Sequence, residues 1–334
     1  MATMTLRHVL GAVCASGLIA LTACSSGSPS GAGSSASGPT PAVAPQQVQG
    51  LATRVIGRVG DASRATGGTA QQSRTGAYIG PALRAATADA KLADVSPQLV
   101  PANPALSNQQ PTPLAVSQGK PPSLLVVQTT AGKGQLPQLQ LLESDRAGTN
   151  WKVAESATML PGTKVEPFAA LAKGSPTPDP AQKSGLAIAP ADLVRSYADG
   201  LAYPAKTVHN PPYTDDDFAS RVHQSAQQQA SATEAYATFR QQHRALPGDT
   251  RVIRQQDGSA LVFAVLERTD TFDVAKNRIL NAPRQFTAFV PKQQKINTRA
   301  EMTTLEFLVF QVPKGTGKAS VIAASEHLVG AHGH

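Results

Sequence analysis

The sequence predicts an α+β protein organised as two tandem domains, because the same features recur in the same order in each half. Apolar residues at helical spacing come first, strand-like runs follow, and a proline-rich stretch separates the two sets. Helices followed by a block of strands, without regular alternation, favour an antiparallel sheet over a parallel one. The chain has 334 residues, which suits two domains at roughly 150 residues each.

In the first half, Val48, Leu51, Val55, Ile56 and Val59 recur at helical spacing from about Gln46, and Gly67-Gly68 breaks the pattern. Gly80-Pro81 opens an alanine-rich helix that runs to about Asp94, with proline in the first turn, where its missing N–H is harmless. Residues 97–122 hold seven prolines and little periodicity, and read as an insertion without regular structure. Strands are expected at 124–130, 138–144 and 151–159, the last two joined by a turn at 145–150. Leu160-Pro161-Gly162 stops the third strand, so the first domain covers 46–172.

Residues 173–189, with Pro176, Pro178 and Pro180, read as the interdomain linker. Pro190 then starts a helix carrying Leu193, Val194, Tyr197 and Leu201. Thr214 is the expected cap of a longer helix, with Asp215, Asp216 and Asp217 where the helix dipole favours negative charge. Phe218, Val222, Gln229, Tyr236 and Phe239 would mark its inner face, and His223 and His243 would lie on the same helix, too far apart to share a ligand. Strands follow at 250–255 and 259–268 around an Asp257-Gly258 turn, a strong hairpin signal. Residues 261–266 are apolar on both faces, so that strand should be central. Further strands at 284–290, 301–312 and 318–328, the last two turned by 314–317, complete a second domain over 190–330.

The N-terminus reads as an export signal. Arg7 and His8 precede an apolar run from Val9 to Ala23. Fifteen residues make a helix of about 22 Å, too short for a bilayer core of about 30 Å, so the run is a signal-peptide core. It ends in Leu21, Thr22, Ala23 and Cys24, the pattern of a bacterial lipobox: an aliphatic residue, two small ones, and the cysteine that receives lipid. Residues 1–23 are then the cleaved signal. Residues 24–45, rich in Ser, Gly, Ala and Pro, form a flexible tether. Cys14 lies within the signal, so lipidated Cys24 leaves no free thiol in the mature chain. Disulfides, thiolate catalysis and cysteine-bound zinc are thereby excluded. The expected location is the cell membrane, lipid-anchored and facing the extracytoplasmic side.

Charge and motifs narrow the function classes. The full chain carries a formal +8, and the mature body +7 once Arg7 is removed. The excess is spread along the sequence and aromatics are 4%, which argues against a nucleic-acid surface and fits an anionic wall polymer or an envelope protein as partner. Ser117 and Lys120 match an S-x-x-K pattern, but Gly119 and Pro121-Pro122 oppose the helix it needs. Gly315-Thr316-Gly317-Lys318 lacks the first Gly and the final Ser or Thr of a phosphate loop and reads as a hairpin turn. The Leu160-Pro161-Gly162-Thr163-Lys164 stretch is internal, unlike a sorting signal. Asp215, Asp216 and Asp217 lack the alternating ligands of a calcium loop, and His209, His223, His243 and His327 are scattered. His332 and His334 fall in an expected frayed tail. Asp257 sits in a turn, and Glu267, Glu301 and Glu306 are expected to point outward from strands.

The lipobox and this element order resemble a family of actinobacterial lipoproteins of unknown function. The matching stretches are Trp151 to Leu160-Pro161-Gly162 and the closing 306–312, 313–318 and 319–329 run. The resemblance implies domains like nuclear transport factor two, each with helices packed on a curved antiparallel sheet. It implies no catalytic residue, cofactor or metal. The expected function is a membrane-anchored envelope lipoprotein that binds a ligand or partner without catalysis. The alternatives are a small-molecule enzyme using a cone-shaped pocket and a cell-wall-associated scaffold.

Overall fold

A computed structural model describes residues 40–100, 110–119, 121–130 and 134–333. Helix α1 (Pro45–Arg64) buries Val48, Ala52, Val55, Ile56 and Val59, the stripe its spacing predicts. The Gly67-Gly68 break is followed by a helix the apolar pattern does not mark, α2 (Ala70–Ala77), which buries only its two end alanines. Helix α3 (Gly80–Val95) starts where expected. Gly80 has φ +56°, a left-handed turn that a side chain would strain.

The proline-rich stretch is not wholly irregular. It contains β1 (Thr112–Val116), paired antiparallel with β2 (Leu124–Thr129). Pro113 is tolerated because β1 is an edge strand, and the register slips between Pro113 and Ala115. Strands β3 (Gln138–Ser144) and β4 (Trp151–Met159) have the predicted bounds.

In the second half, α4 (Pro190–Gly200) buries Leu193, Val194 and Tyr197. Helix α5 (Asp217–Thr233) is shorter than expected, and its cap is Asp216 rather than Thr214: Asp216 Oδ1 accepts the Ala219 N–H at 2.8 Å. Tyr236 is exposed, and Phe239 belongs to a strand, β5 (Ala237–Ala245), whose residues alternate buried and exposed over its first half. The period of two along Ala237, Phe239 and Gln241 overrides the helical reading and moves His243 onto a sheet, away from His223. Strands β6 (Arg251–Arg254) and β7 (Ala260–Val274) flank the Asp257-Gly258 turn. Two short strands, β8 (Leu280–Asn281) and β9 (Lys295–Ile296), pair with each other. The strand expected at 284–290 is instead a helical turn, α6 (Arg284–Thr287), whose Phe286 packs on Ile296 and Ala300. Strands β10 (Arg299–Val312) and β11 (Ser320–Gly333) close the fold, and β11 runs on through the expected frayed tail to pair His332 with Glu301. His334 lies outside the described residues.

Strands of both halves join in one antiparallel sheet, ordered β1-β2-β3-β4-β11-β10-β7-β5, with β6 added on β7. Within the sheet, the strands of the two halves pair at Met159 with Ala323 and Thr158 with Ala324. Leu139, Leu141 and Ala157 of the first half share a core with Phe263, Val265 and Phe307 of the second. The sheet is therefore bent back on itself at the β4–β11 corner. The first three helices cover the outer face of β2–β4 through Leu125, Val127, Leu142 and Val153. Helices α4 and α5 cover the outer face of β7 and β10 through Val262, Ala264, Leu308 and Phe310. The fold is mixed α+β and dominated by its sheet.

The expected linker is laid along the body. Ser175 and Leu186 are fully buried, Gln118 N–H donates to Ser175 O at 3.0 Å, and Ala187 N–H donates to Pro313 O at 2.8 Å. The end of the expected tether is also docked, through an Ala42 N–H to Ser117 O bond of 2.9 Å. Leu21, Thr22, Ala23 and Cys24 lie outside the described residues. Among those described, no helix is long and apolar enough to cross a membrane.

Candidate ligand-binding site

Helix α3 lies over the bent corner, where its small residues Ala82 and Ala85 let it approach the sheet closely. One turn further on stands Asp89, a carboxylate facing that same corner. His327 of β11 meets it, with Nδ1 2.9 Å from Asp89 Oδ2. The Phe307 ring packs edge-on against the imidazole, centroids 5.5 Å apart. The two-residue period of β3 puts Gln138 and Gln140 on one face, and Ser156, Thr158 and Ser325 join them around a cavity of about 80 Å³. A single water needs about 10–15 Å³, so the cavity holds several waters or one small polar molecule.

Its polar wall is rich in unmet acceptors. Asp89 Oδ1 is buried without a hydrogen-bond partner, and so is Gln140 Oε1, whose amide nitrogen donates to Thr129 Oγ1 at 3.2 Å. Leaving such an oxygen unpaired costs about 1–3 kcal/mol, more if charged. The site thus favours an occupant that donates hydrogen bonds. Burial, together with the charge of Asp89, pushes the Tyr78 hydroxyl pKa up to about 12, so Tyr78 adds a neutral donor to the wall. Among the described residues, no hydroxyl is hydrogen-bonded to the second ring nitrogen of His327, and Ser325 Oγ instead accepts the Thr158 N–H at 3.0 Å. A His–Asp pair without a bonded nucleophile does not assemble an acyl-transfer triad.

A second polar cluster lies on the opposite face of β5, β7, β10 and β11. Glu306, expected to point outward, is fully buried there: the register that faces Leu305 and Phe307 to the inner core turns Glu306 toward α4. His243 Nδ1 lies 2.8 Å from Glu306 Oε2, and Arg268 Nη1 lies 3.3 Å from Oε1. Arg268 also pairs with Asp270 at 3.2 Å and with Glu326. Burial lowers the pKa of Arg268, but these three carboxylates outweigh it and raise the value overall. Burial likewise raises the Asp270 carboxyl against the pull of Arg268. The Gln241 amide donates to Leu201 O at 3.3 Å and faces His243 Nε2 at 3.0 Å. Both imidazole nitrogens are thus occupied and the side chain is 0% exposed. This cluster ties four strands together, and within it Asp270 Oδ1 is buried without a hydrogen-bond partner.

The other residues singled out in the sequence have structural roles. Ser117 Oγ accepts the Leu124 N–H at 2.9 Å, and Lys120 lies outside the described residues. Gly315 and Gly317 turn β10 into β11. Thr163 Oγ1 donates to Leu160 O and Ile322 O, stitching the end of β4 to β11. Tyr197 OH donates to Asp216 Oδ2 at 2.9 Å, so the central aspartate of the acidic triplet is a cap. His223 Nε2 reaches Gly200 O at 2.9 Å. Glu267 holds Arg84 and Arg244, each at 2.7 Å, and Glu301 holds Arg299. Asp257 Oδ1 accepts the Ser259 N–H at 2.9 Å. Among the described residues, no group of three or more His, Cys, Asp or Glu could hold a metal ion.

A family model described as Domain of unknown function (DUF8094) matches residues 117–333, well over half of the chain. The chain belongs to this family. No curated protein and no solved structure matches it. The DUF8094 segment supplies the sheet wall of the cavity, from Gln138 to His327, whereas Asp89 of α3 and Tyr78, between α2 and α3, precede it.

Sequence reasoning passed over Asp89, Tyr78, Gln138 and Gln140. Two signals were available. Asp89 falls at helical spacing from Ala82, Ala85 and Leu92, so a carboxylate sits next to an apolar stripe. The run Gln138-Leu139-Gln140-Leu141 alternates, so two amides share a face of a strand that otherwise buries leucines.

Proposed function

We propose that this protein is a lipid-anchored envelope protein that binds a small polar ligand, without catalysis, in the cavity between α3 and the β3–β4–β11 corner. The observation that carries this reading is the buried Asp89 Oδ1, left without a donor in a cavity whose polar wall also holds amides, hydroxyls and His327. The ligand is a compact molecule rich in N–H or O–H groups. The test is a thermal-shift and calorimetric screen of the mature chain against small amines and polyols. Binding is expected to weaken by about tenfold, or about 1.4 kcal/mol, in Asp89→Asn. The absence of any saturable binder, or a binder indifferent to Asp89→Asn and His327→Ala, sinks the proposal.

The location is part of the same proposal. Cys24 at the end of the apolar run, followed by an uncharged Ser/Gly tract, supports cleavage before Cys24 and a lipid on its sulfur. Each buried methylene of the acyl chains contributes about 0.8 kcal/mol, so two or more chains anchor stably. Cys24→Ser should move the protein from the membrane to the soluble fraction; continued membrane association overturns the assignment. The spread positive charge supports an anionic wall polymer or an envelope protein as a further contact.

We also read the halves 46–172 and 190–330 as tandem lobes like nuclear-transport-factor-two domains, as in actinobacterial lipoproteins. The narrow β4–β11 junction and the separate helix layers support this.

A further inference from the structure

A second cleft, of about 140 Å³, opens at the N-terminal end of α3, between Gly80, Pro81 and the strands β3, β4 and β6. Three carboxylates line it, Glu143, Glu155 and Asp249, against one cation, Arg251. That cation is already committed. Arg251 Nε and Nη2 donate to Glu143 at 2.9 and 3.3 Å, and Nη1 donates to Gly248 O at 2.7 Å. Glu143 and Arg251 therefore neutralise one another at the wall, and Glu155 and Asp249 are left without a cation of their own.

Glu155 is the telling residue. It is 3% exposed, and its Oε2 is buried with no hydrogen-bond partner. A buried polar atom without a partner is rare in native proteins and calls for an explanation. A leucine would fill this position on β4 without penalty if packing alone mattered. The N–H groups at the start of α3 favour the nearby Asp249, whose Oδ1 lies 3.8 Å from where a Cβ on Gly80 would stand. They give Glu155 no hydrogen bond.

We propose that this cleft is a binding site for a compact organic cation, a primary ammonium or a guanidinium, held between Glu155 and Asp249. Among the described residues, no group of three or more His, Cys, Asp or Glu could hold a metal ion, which favours an organic cation here. An ammonium offers three N–H donors and a guanidinium a planar fork of five, so either can donate to more than one carboxylate. When the cleft is empty, burial and the neighbouring Asp249 and Glu143 push the Glu155 carboxyl well above the ordinary carboxylate range, against the pull of Arg251. Burial raises Asp249 as well. Cation binding then expels a proton, and affinity rises with pH. This site is independent of the Asp89 cavity.

The test is isothermal calorimetry of the full mature chain with methylguanidinium and ethylammonium chloride. Titrations run at matched ionic strength, at pH 6 and pH 8, in two buffers of different ionisation enthalpy. The expected result is saturable binding of at least one cation, tighter at pH 8, with proton release at pH 6. Glu155→Gln keeps the shape and should weaken binding about tenfold or more. Asp249→Asn, at a more open position, should weaken it by a smaller factor and serves as the second variant if Glu155→Gln melts early. Asp89→Asn should leave this binding unchanged, which separates failure here from failure at the other cavity. No saturable heat with either cation, or affinities in Glu155→Gln and Asp249→Asn equal to the parent, overturns the proposal.

Discussion

Replacing Arg268 with methionine preserves an unbranched side chain over the sheet and removes the one guanidinium that faces Asp270, Glu306 and Glu326. The Asp270 side chain is 2% exposed and that of Glu306 0%, so neither carboxylate can rehydrate in place. Breaking a buried ion pair from one side costs about 3–5 kcal/mol. Glu306 keeps its bond to His243, which places the expected loss at the lower end, about 3 kcal/mol at pH 8. The pH dependence has a definite sign. The Asp270 carboxyl is already raised by burial although Arg268 pulls it down, and without Arg268 it rises further. A carboxyl that holds its proton more tightly when folded favours the fold below the ordinary Asp range. That advantage is lost as pH climbs through the folded value. The variant should therefore be destabilised more at pH 8 than at pH 5. Urea unfolding followed by fluorescence of Trp151, the single tryptophan and a buried one, measures both conditions. A loss below about 1 kcal/mol at pH 8, the range of a solvent-exposed pair, or equal losses at the two pH values, would refute the reasoning.

Three further outcomes are expected. Asp216→Ala removes the α5 cap, about 1 kcal/mol, and strands the buried Tyr197 hydroxyl, another 1–3 kcal/mol or so; Asp216→Asn, which can still cap, should lose much less, as read by thermal melts of both variants. Leu186→Ala should destabilise by about 2–5 kcal/mol, since Leu186 is fully buried; a change within about 0.5 kcal/mol, typical of surface sites, would mean that 173–189 is a free linker after all. Gly258→Ala places a Cβ at φ +87° and 2.9 Å from Lys314 Cδ, so the unfolding free energy from urea titrations should fall, by more than the roughly 0.4–1 kcal/mol that an unstrained Gly→Ala change gains.

The elements that were legible in the sequence are those whose burial is one-sided and local. Val48, Val55, Ile56 and Val59 mark α1 because a helix on a sheet hides one stripe, and 261–266 marks β7 because a central strand hides both faces. Strand β5 was misread because its buried positions, Ala237, Phe239 and Gln241, follow α5 without a proline or glycine between them. Glu306 was misread for a deeper reason. Outward orientation is a sound default for a strand carboxylate, and what overrides it is Arg268 and His243, 38 and 63 residues away in sequence. No local pattern encodes such pairings. The same holds for Asp89 and His327, 238 residues apart.

Those long-range pairs also say how the two halves work together. Arg84 with Glu267, Asp89 with His327, and Glu143 with Arg251 each join a residue before the 173–189 segment to one after it. The first is largely exposed on its arginine side and contributes little stability. The other two belong to the walls of the two cavities, so the contacts that hold the halves together are also the contacts a ligand would touch. Helix α3 borders both sites, with Asp89 facing one and Gly80-Pro81 the other. A ligand in either cavity would add bonds across the same junction. A protein that only needed to hold its halves together could do so with leucines, as the shared core already does through Leu141, Phe263 and Phe307. Keeping unmet carboxylate oxygens at Asp89 and Glu155 weakens that junction. Under the binding proposed for the two cavities, a ligand that donates to these oxygens would offset that cost.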